Sequence, residues 1–293
     1  MKILHLPVLR AEVIDVLKPK PDGVYVDATI GSGGHAEHIT KLLGPAGRLI
    51  GIDRDEDALK IARERLSDER VVFMKGEFSA LEMLLSGAGV DQVDGILFDL
   101  GLSMVQLRDA RRGFSFLSEE RLDMRMDREQ TVSAWDVVNR YSGKELERIL
   151  REFGEERLAR RIAQTIVNRR SRKPVDTCSE LADAVASVYG KRGRVHPATR
   201  TFQALRIEVN RELDQLNAGL DASVRVLKRG GRVCVISYHS LEDRKVKHFF
   251  AEKARQNAFR IITKKPLTPG LEELRANPSS RSAKLRAAER HDV

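Results

Sequence analysis

The chain has 293 residues, 41% of them hydrophobic and 32% charged, with a net charge of +9. Those totals exclude a wholly disordered chain and predict one large domain or two unequal ones. The two cysteines, Cys178 and Cys234, lie far apart and without metal-ligand spacing, which excludes a disulfide framework and points to a reducing cytoplasm. His5, Arg10, Glu12 and Asp15 interrupt the opening residues, and no run approaches membrane-span length, so neither a secretory signal nor a membrane segment is expected.

In chain order, the first strand signal is Val24-Tyr25-Val26-Asp27, followed by the glycine turn T-I-G-S-G-G-H. Helical spacing from Ala36 to Leu43 meets a stop at Gly44-Pro45. Arg48 to Ile52 is a second strand, closed by Asp53. Asp55 is placed to cap a helix running through Leu66, with Ala58, Leu59, Ala62 and Leu66 on one face. Val71 to Met74 predicts a third strand, Ser79 to Leu85 a third helix and Gly95 to Phe98 a fourth strand. This alternation predicts a parallel sheet with right-handed crossovers.

The stretch Gly95 to Gln106, G-I-L-F-D-L-G-L-S-M-V-Q, is the expected seat of the chemistry. Its apolar run ends in Asp99 and passes into a loop holding Gly101 and Ser103. Ligands of open parallel sheets sit outside the carboxyl ends of the strands. The pattern then changes. Gly113 to Asp127 has no clean period and reads as loop, whereas Leu146, Ile149, Leu150, Phe153, Leu158, Ile162 and Ile166 fall at helical spacing. Thr177-Cys178-Ser179-Glu180 is a capping-box pattern opening a helix to Tyr189, and Gly190 to Pro197 reads as a basic loop.

From Phe202 to Leu227 apolar residues step by three or four, predicting one long helix, bent or straight, that ends at Gly230-Gly231. Arg232 to Ser237 is a fifth strand, and Y-H-S-L-E-D opens the next helix. Phe259 to Thr263 and Ala283 to Ala288 pair as the last strands, and the tail from Leu267 to Ser282 reads as a loop. The expected fold is α/β: a cofactor-binding sheet from 1–107 and 207–293, interrupted by a mainly helical insertion from 108–206.

Charge is concentrated. Between Arg157 and Arg206 twelve Lys and Arg stand against three acids, so those fifty residues hold the whole excess and the rest of the chain sums to zero. A localised basic surface is the footprint of a phosphate-rich partner. On charge alone an ordinary solvated helix face would look the same.

Gly31-Ser32-Gly33-Gly34-His35-Ala36 fits G-x-G-x-x-A, with Asp53 twenty-two residues on. That is the dinucleotide fingerprint, but S-adenosylmethionine asks for much the same: a helix N-terminus for its carboxylate and an acid for its ribose. Asp27, four residues before Gly31, favours the second ligand. An acid there repels a pyrophosphate and suits an ammonium group.

These stretches resemble the MraW (RsmH) family of bacterial small-subunit ribosomal RNA cytidine methyltransferases. The matching segments include D-A-T-I-G-S-G-G-H, G-I-D-R-D, D-L-G-L-S-M-V-Q-L, R-G-F-S-F, L-D-M-R-M-D, H-P-A-T-R-T-F-Q-A-L-R-I-E-V-N-R-E-L, V-I-S-Y-H-S-L-E-D-R and N-P-S-S-R-S-A-K-L-R, which span nearly the whole chain. The resemblance implies a class I, Rossmann-like methyltransferase sheet using S-adenosyl-L-methionine. It also implies N(4)-methylation of a cytidine in the P-site region of 16S rRNA, within the small ribosomal subunit. It places cofactor contacts at Gly33, Gly34, His35, Asp53, Phe78, Asp99 and Gln106. No metal and no membrane are implied, the expected location is cytoplasmic, and a homodimer is compatible. Two departures stand beside the substrate: Met104-Val105 where the family has Ser-Pro, and Glu120-Arg121 where Gly-Pro precedes L-D-M-R-M.

An exocyclic amine is a poor nucleophile and needs an acceptor that holds it in line with the methyl group. Asp99 is the leading catalytic candidate, orienting the amine or the cofactor, with Ser103 and His239 behind it. Amino-methyltransferases with Asp-Pro-Pro-Tyr stack the base on that tyrosine. This chain has Asp-Leu-Gly-Leu, so the ring must come from elsewhere, with Phe114, Phe116 and Tyr238 as candidates and core packing as the competing role. Attack through ring carbon 5 needs a cysteine nucleophile in a loop, and neither cysteine is so placed. A small-molecule methyltransferase and a non-catalytic RNA-binding assembly factor are the competing functions; the basic block disfavours the first, and the glycine loop with Asp53 and Asp99 the second.

Overall fold

The computed structural model describes residues 7–189 and 196–291. In chain order the elements begin with α1 (Arg10–Leu17), β1 (Val24–Asp27), α2 (Gly34–Thr40), β2 (Arg48–Asp53), α3 (Glu56–Arg65), β3 (Val71–Lys75), α4 (Leu81–Gly87) and β4 (Val93–Asp99). Six helices follow: α5 (Met104–Arg108), α6 (Ala134–Arg140), α7 (Gly143–Glu152), α8 (Ala159–Arg170), α9 (Cys178–Ala186) and α10 (Thr199–Asn210). The chain closes with α11 (Glu212–Val226), β5 (Leu227–Ser237), α12 (Ser240–Arg255), β6 (Phe259–Ile261), α13 (Leu271–Ala276) and β7 (Lys284–Arg290). Two compact units result, one of Met1–Met104 with Leu213–Val293 and one of Val105–Glu212.

The first unit is built on a seven-stranded sheet of order β3-β2-β1-β4-β5-β7-β6. The pairs among β1 to β5 are parallel, and β7 runs antiparallel to β5 and β6. Two-residue alternation sorts the strands onto two apolar layers. Val26, Ile50, Ile52, Ile96, Phe98, Val233 and Val235 join one core cluster. Tyr25, Leu49, Leu97, Cys234 and Ile236 join the other. Strand order reverses between β1 and β4, which opens a crevice beyond their carboxyl ends.

Several boundaries differ from the sequence reading. Helix α2 stops at Thr40, not Leu43. The stripe from Phe202 to Leu227 is two helices, because Arg211 takes the left-handed conformation at φ 50° and a helix cannot run through it. Its second half ends at Val226, and Leu227 opens β5, paired with Val93 ahead of a register shift. The run from Leu146 to Ile166 is likewise divided between α7 and α8, with Glu155 at φ 48° in the gap. Helices α1, α6 and α13 had no counterpart in the periodicity. Helix α6 opens on a capping box, Ser133 with Asp136.

In the second unit α6 to α10 pack around Leu146, Ile149, Ile162, Ile166, Leu181, Phe202 and Leu205. The irregular segment from Gly113 to Asp127 is held by buried polar groups. Asn210 Nδ2 donates to the Met124 carbonyl and Oδ1 accepts from the Met126 N–H, both at 2.8 Å. Buried Arg112 donates to the carbonyls of Arg125 and Met126 at 3.0 and 2.7 Å. The capping box at Thr177 and Glu180 forms as expected.

The basic block is less uniform than its count. Arg160, Arg161 and Arg169 are exposed, but Arg170 is half-buried and donates to the carbonyls of Val138, at 2.6 Å, and Tyr141. It therefore fastens α8 to the end of α6 instead of standing free in solvent. Arg206 is paired with Glu212 at 2.8 Å. Arg192 and Arg194, with most of the basic loop from Gly190 to Pro197, lie outside the described residues.

Candidate active site

Three carboxylates end three neighbouring strands: Asp27 on β1, Asp53 on β2 and Asp99 on β4. The loop after β1 crosses between its neighbours, with the Ala28 N–H on the Leu97 carbonyl and the Ile30 N–H on the Ile52 carbonyl. Gly31 (φ 52°) and Gly33 (φ 80°) take left-handed conformations that favour glycine. A side chain at Gly33 would also meet Leu66 Cδ1 at 2.9 Å. That glycine is needed for helix packing, independently of any ligand. Gly34 opens α2 against Pro7.

Asp53 ties this loop to the next one. Its Oδ2 accepts from the Gly31 N–H at 2.9 Å, and its Oδ1 accepts from the Asp55 N–H at 2.9 Å. Each oxygen retains a second lone pair, enough for a diol. Burial nevertheless pushes the Asp53 carboxyl up to about 6, against the pull of those N–H groups. Asp27, only 2% exposed, accepts from the Thr29 N–H at 3.3 Å. Burial pushes it up to about 7; His35 pulls it down, while Asp99 and Asp53 push it further up.

Asp99 is held from several sides. Its N–H donates to Thr29 Oγ1 at 2.7 Å. Its Oδ1 accepts from the Tyr238 hydroxyl at 2.8 Å, and its Oδ2 lies 3.5 Å from His35 Nε2. That Nε2 is buried without a hydrogen-bond partner among the described residues, which leaves it a polar group still to be satisfied. Ser103 lies beside the same loop, since a Cβ built on Gly31 would stand 3.7 Å from Ser103 Cβ. Carboxylates strained by burial, an unsatisfied imidazole nitrogen and a glycine turn fit a ligand that combines cationic groups with a polar nucleoside. S-adenosyl-L-methionine has that chemistry.

The model of the MraW methylase family matches residues 2–291. A relative from Persephonella marina, named ribosomal RNA small subunit methyltransferase H, is 50% identical and covers 98% of this chain and 99% of its own. One of the same name from Caldicellulosiruptor saccharolyticus is 48% identical over 98% and 99%. The chain belongs to the MraW methylase family. It is a methyltransferase, and S-adenosyl-L-methionine is its methyl donor. A solved rRNA methylase from Streptococcus thermophilus covers 97% of this chain and 94% of its own, at 12% identity and a TM-score of 0.45, too distant a likeness to add to that.

Within this MraW-family chain the remaining expected residues fall apart into different surroundings. Phe78 follows β3 and meets Phe98 edge-on, with centroids 5.5 Å apart. Gln106 sits in α5, past the end of the first unit's first segment. His239 is the N-cap of α12: its Nδ1 accepts from the Glu242 N–H at 3.4 Å and its Nε2 lies 3.2 Å from Glu242 Oε1. That is a capping role, in place of the catalytic one expected.

Of the stacking candidates, Phe116 already stacks on His196 at 4.3 Å and meets Phe202 edge-on, and Phe114 packs on the second unit's core. Tyr238 lays its ring against Gly101, whose φ of 107° demands glycine, and directs its hydroxyl to Asp99. Thr29, which the sequence did not single out, and Tyr238, expected only as a stacking ring, are the residues that position Asp99. Both lie inside quoted motifs, but only the strand order brings them to Asp99. Burial pushes the thiols of Cys234 and Cys178 up to about 12, so neither supplies a thiolate for attack at a ring carbon.

Proposed function

We propose that this methyltransferase modifies the exocyclic N(4) amine of a cytidine in 16S rRNA of the small ribosomal subunit. The relatives' name supports the RNA class. The observation that favours an amine is Asp99: a carboxylate at the end of β4, fixed by Tyr238 and facing His35, with no ionisable thiol nearby. S-adenosyl-L-methionine, when bound, supplies an electrophilic methyl group. Gly33 and Gly34 shape the turn that receives it, Asp53 offers acceptors to ribose hydroxyls, Asp27 faces its ammonium, and His35, Phe78 and Gln106 complete the expected contacts.

The residues' contribution to the reaction is orientation and charge. Asp99 accepts a hydrogen bond from the amine, turning its nitrogen lone pair toward the methyl group, and is the acceptor for the proton that the nitrogen sheds once it is methylated. Ser103, beside the glycine loop, is the second polar group placed toward the base. His239 spends Nδ1 on the cap of α12, so any part it takes in the reaction falls to its Nε2. The helical unit, Val105–Glu212, is the substrate-gripping part. The test is direct: small subunits from cells lacking the protein are incubated with it and labelled S-adenosyl-L-methionine, and nucleosides are resolved by mass spectrometry. N(4)-methylcytidine is expected; label at carbon 5 or on protein would reject the assignment.

A further inference from the structure

Helix α8 carries an exposed face without an acid. Its apolar side, Ala159, Ile162, Ala163 and Ile166, is buried. Its exposed residues are Arg160, Arg161, Gln164, Asn168 and Arg169, and exposed Arg157 and Arg172 flank its two ends. Among the described residues none of these five arginines has an acidic partner. The adjoining helices behave differently: Arg140 pairs with Asp136 at 2.9 Å, Arg148 with Glu152 at 3.0 Å, and Arg151 with Glu147. Lys173 pairs with Glu180 at 3.0 Å. Arg170 and Arg206 are half-buried and engaged within the unit.

Five like charges on one rigid face repel one another and leave a field that only an external anion neutralises. From Arg160 to Arg169 the helix rises about 14 Å at about 1.5 Å per residue, enough for two or three successive phosphates, with Arg157 and Arg172 in the turns beyond its ends. A helix that lies on a membrane needs a free apolar face, and that of α8 is consumed by the unit's core. Guanidinium groups bind phosphate bidentately. We infer that the arginine face of α8 docks the phosphate backbone of the RNA substrate, with Arg157, Arg160, Arg161, Arg169 and Arg172 as the contacting groups. This rests on the ribosomal reading and assigns the surface that grips the RNA.

Phosphate contacts release counterions, so each lost contact lowers the slope of log affinity against log salt by about 0.7–0.9. Two paired variants, Arg160→Gln with Arg161→Gln and Arg169→Gln with Arg172→Gln, are titrated against small subunits at several salt concentrations. A control pair, Arg140→Gln with Arg151→Gln, removes the same charge from acid-paired positions. Each α8 pair is expected to lower the slope by about 1.4–1.8, while the control keeps the wild-type slope and all variants bind S-adenosyl-L-methionine equally. Wild-type slopes in the α8 pairs, or an equal loss in the control, would overturn the assignment. So would phosphatidylglycerol vesicles that bind the wild type as tightly as subunits with the same arginine dependence. Wild-type protein that binds S-adenosyl-L-methionine but not small subunits would instead overturn the ribosomal reading.

Discussion

The hydroxyl of Tyr238 donates to Asp99 Oδ1 at 2.8 Å across 139 residues of sequence. The tyrosine is held at both ends, its N–H by Glu242 Oε2 at 2.8 Å and its ring by Gly101. Burial, with Asp99 beside it, pushes its pKa well above the ordinary value, so it remains a proton donor throughout the working pH range. Tyr238 fixes one oxygen of Asp99 and leaves the carboxylate's other lone pairs for substrate.

Tyr238→Phe keeps the ring against Gly101 and removes the hydroxyl. A hydrogen bond to a charged group contributes about 1.5–3 kcal/mol, so single-turnover methyl transfer should fall by roughly tenfold or more and the melting temperature by several degrees, with S-adenosyl-L-methionine affinity little changed. A folded variant with the wild-type rate would remove Tyr238 from the mechanism.

Asp53→Ala should weaken S-adenosyl-L-methionine binding by roughly 1.5–3 kcal/mol. Because Asp53 also holds the N–H groups of Gly31 and Asp55, Asp53→Asn, which retains an acceptor, should lose less. Calorimetry that finds wild-type affinity in both variants would detach Asp53 from the ribose.

Asp27 and Asp53 are pushed up to about 7 and about 6, above the unfolded value of about 3.9. The folded protein therefore holds more protons than the unfolded chain across that interval. The stability contributed is complete below about pH 4 and is lost as pH rises through 7. Denaturant midpoints of the ligand-free protein should fall between about pH 5 and pH 7.5, and Asp27→Asn should flatten the decline. A cation draws the proton off, so S-adenosyl-L-methionine should bind more tightly as pH rises through the same window. Calorimetry in two buffers of different ionisation enthalpy should record proton release; proton uptake would contradict the arrangement.

Arg170→Ala should destabilise the helical unit by about 1–3 kcal/mol, the scale of leaving buried carbonyls unpaired, because it frees the carbonyls of Val138 and Tyr141. The salt dependence of RNA binding should not change. A urea midpoint equal to wild type, or a flattened salt slope, would return Arg170 to the outer face.

Near-neighbour patterns made the site's acids legible. Strand period and glycine turns act over a few residues, so Val24 to Asp27, Arg48 to Asp53 and Gly95 to Asp99 could be read directly, as could the cap at Asp55. The break at Arg211 could not, because the apolar stripe runs through it unchanged while the backbone turns left-handed.

Local pattern is enough for the parallel α/β plan, the carboxylates that end its strands, the glycine turn beside them and the concentration of positive charge between Arg157 and Arg206. How those groups are used depends on long-range packing. Placing β5 beside β4 sets Tyr238 against Asp99 and makes an expected base-stacking ring a hydrogen-bond donor. Packing α8 on α6 draws Arg170 inward and leaves Arg160, Arg161 and Arg169 outside. A local window encodes which face of an element is apolar; which groups that face then meets depends on elements dozens to more than a hundred residues away.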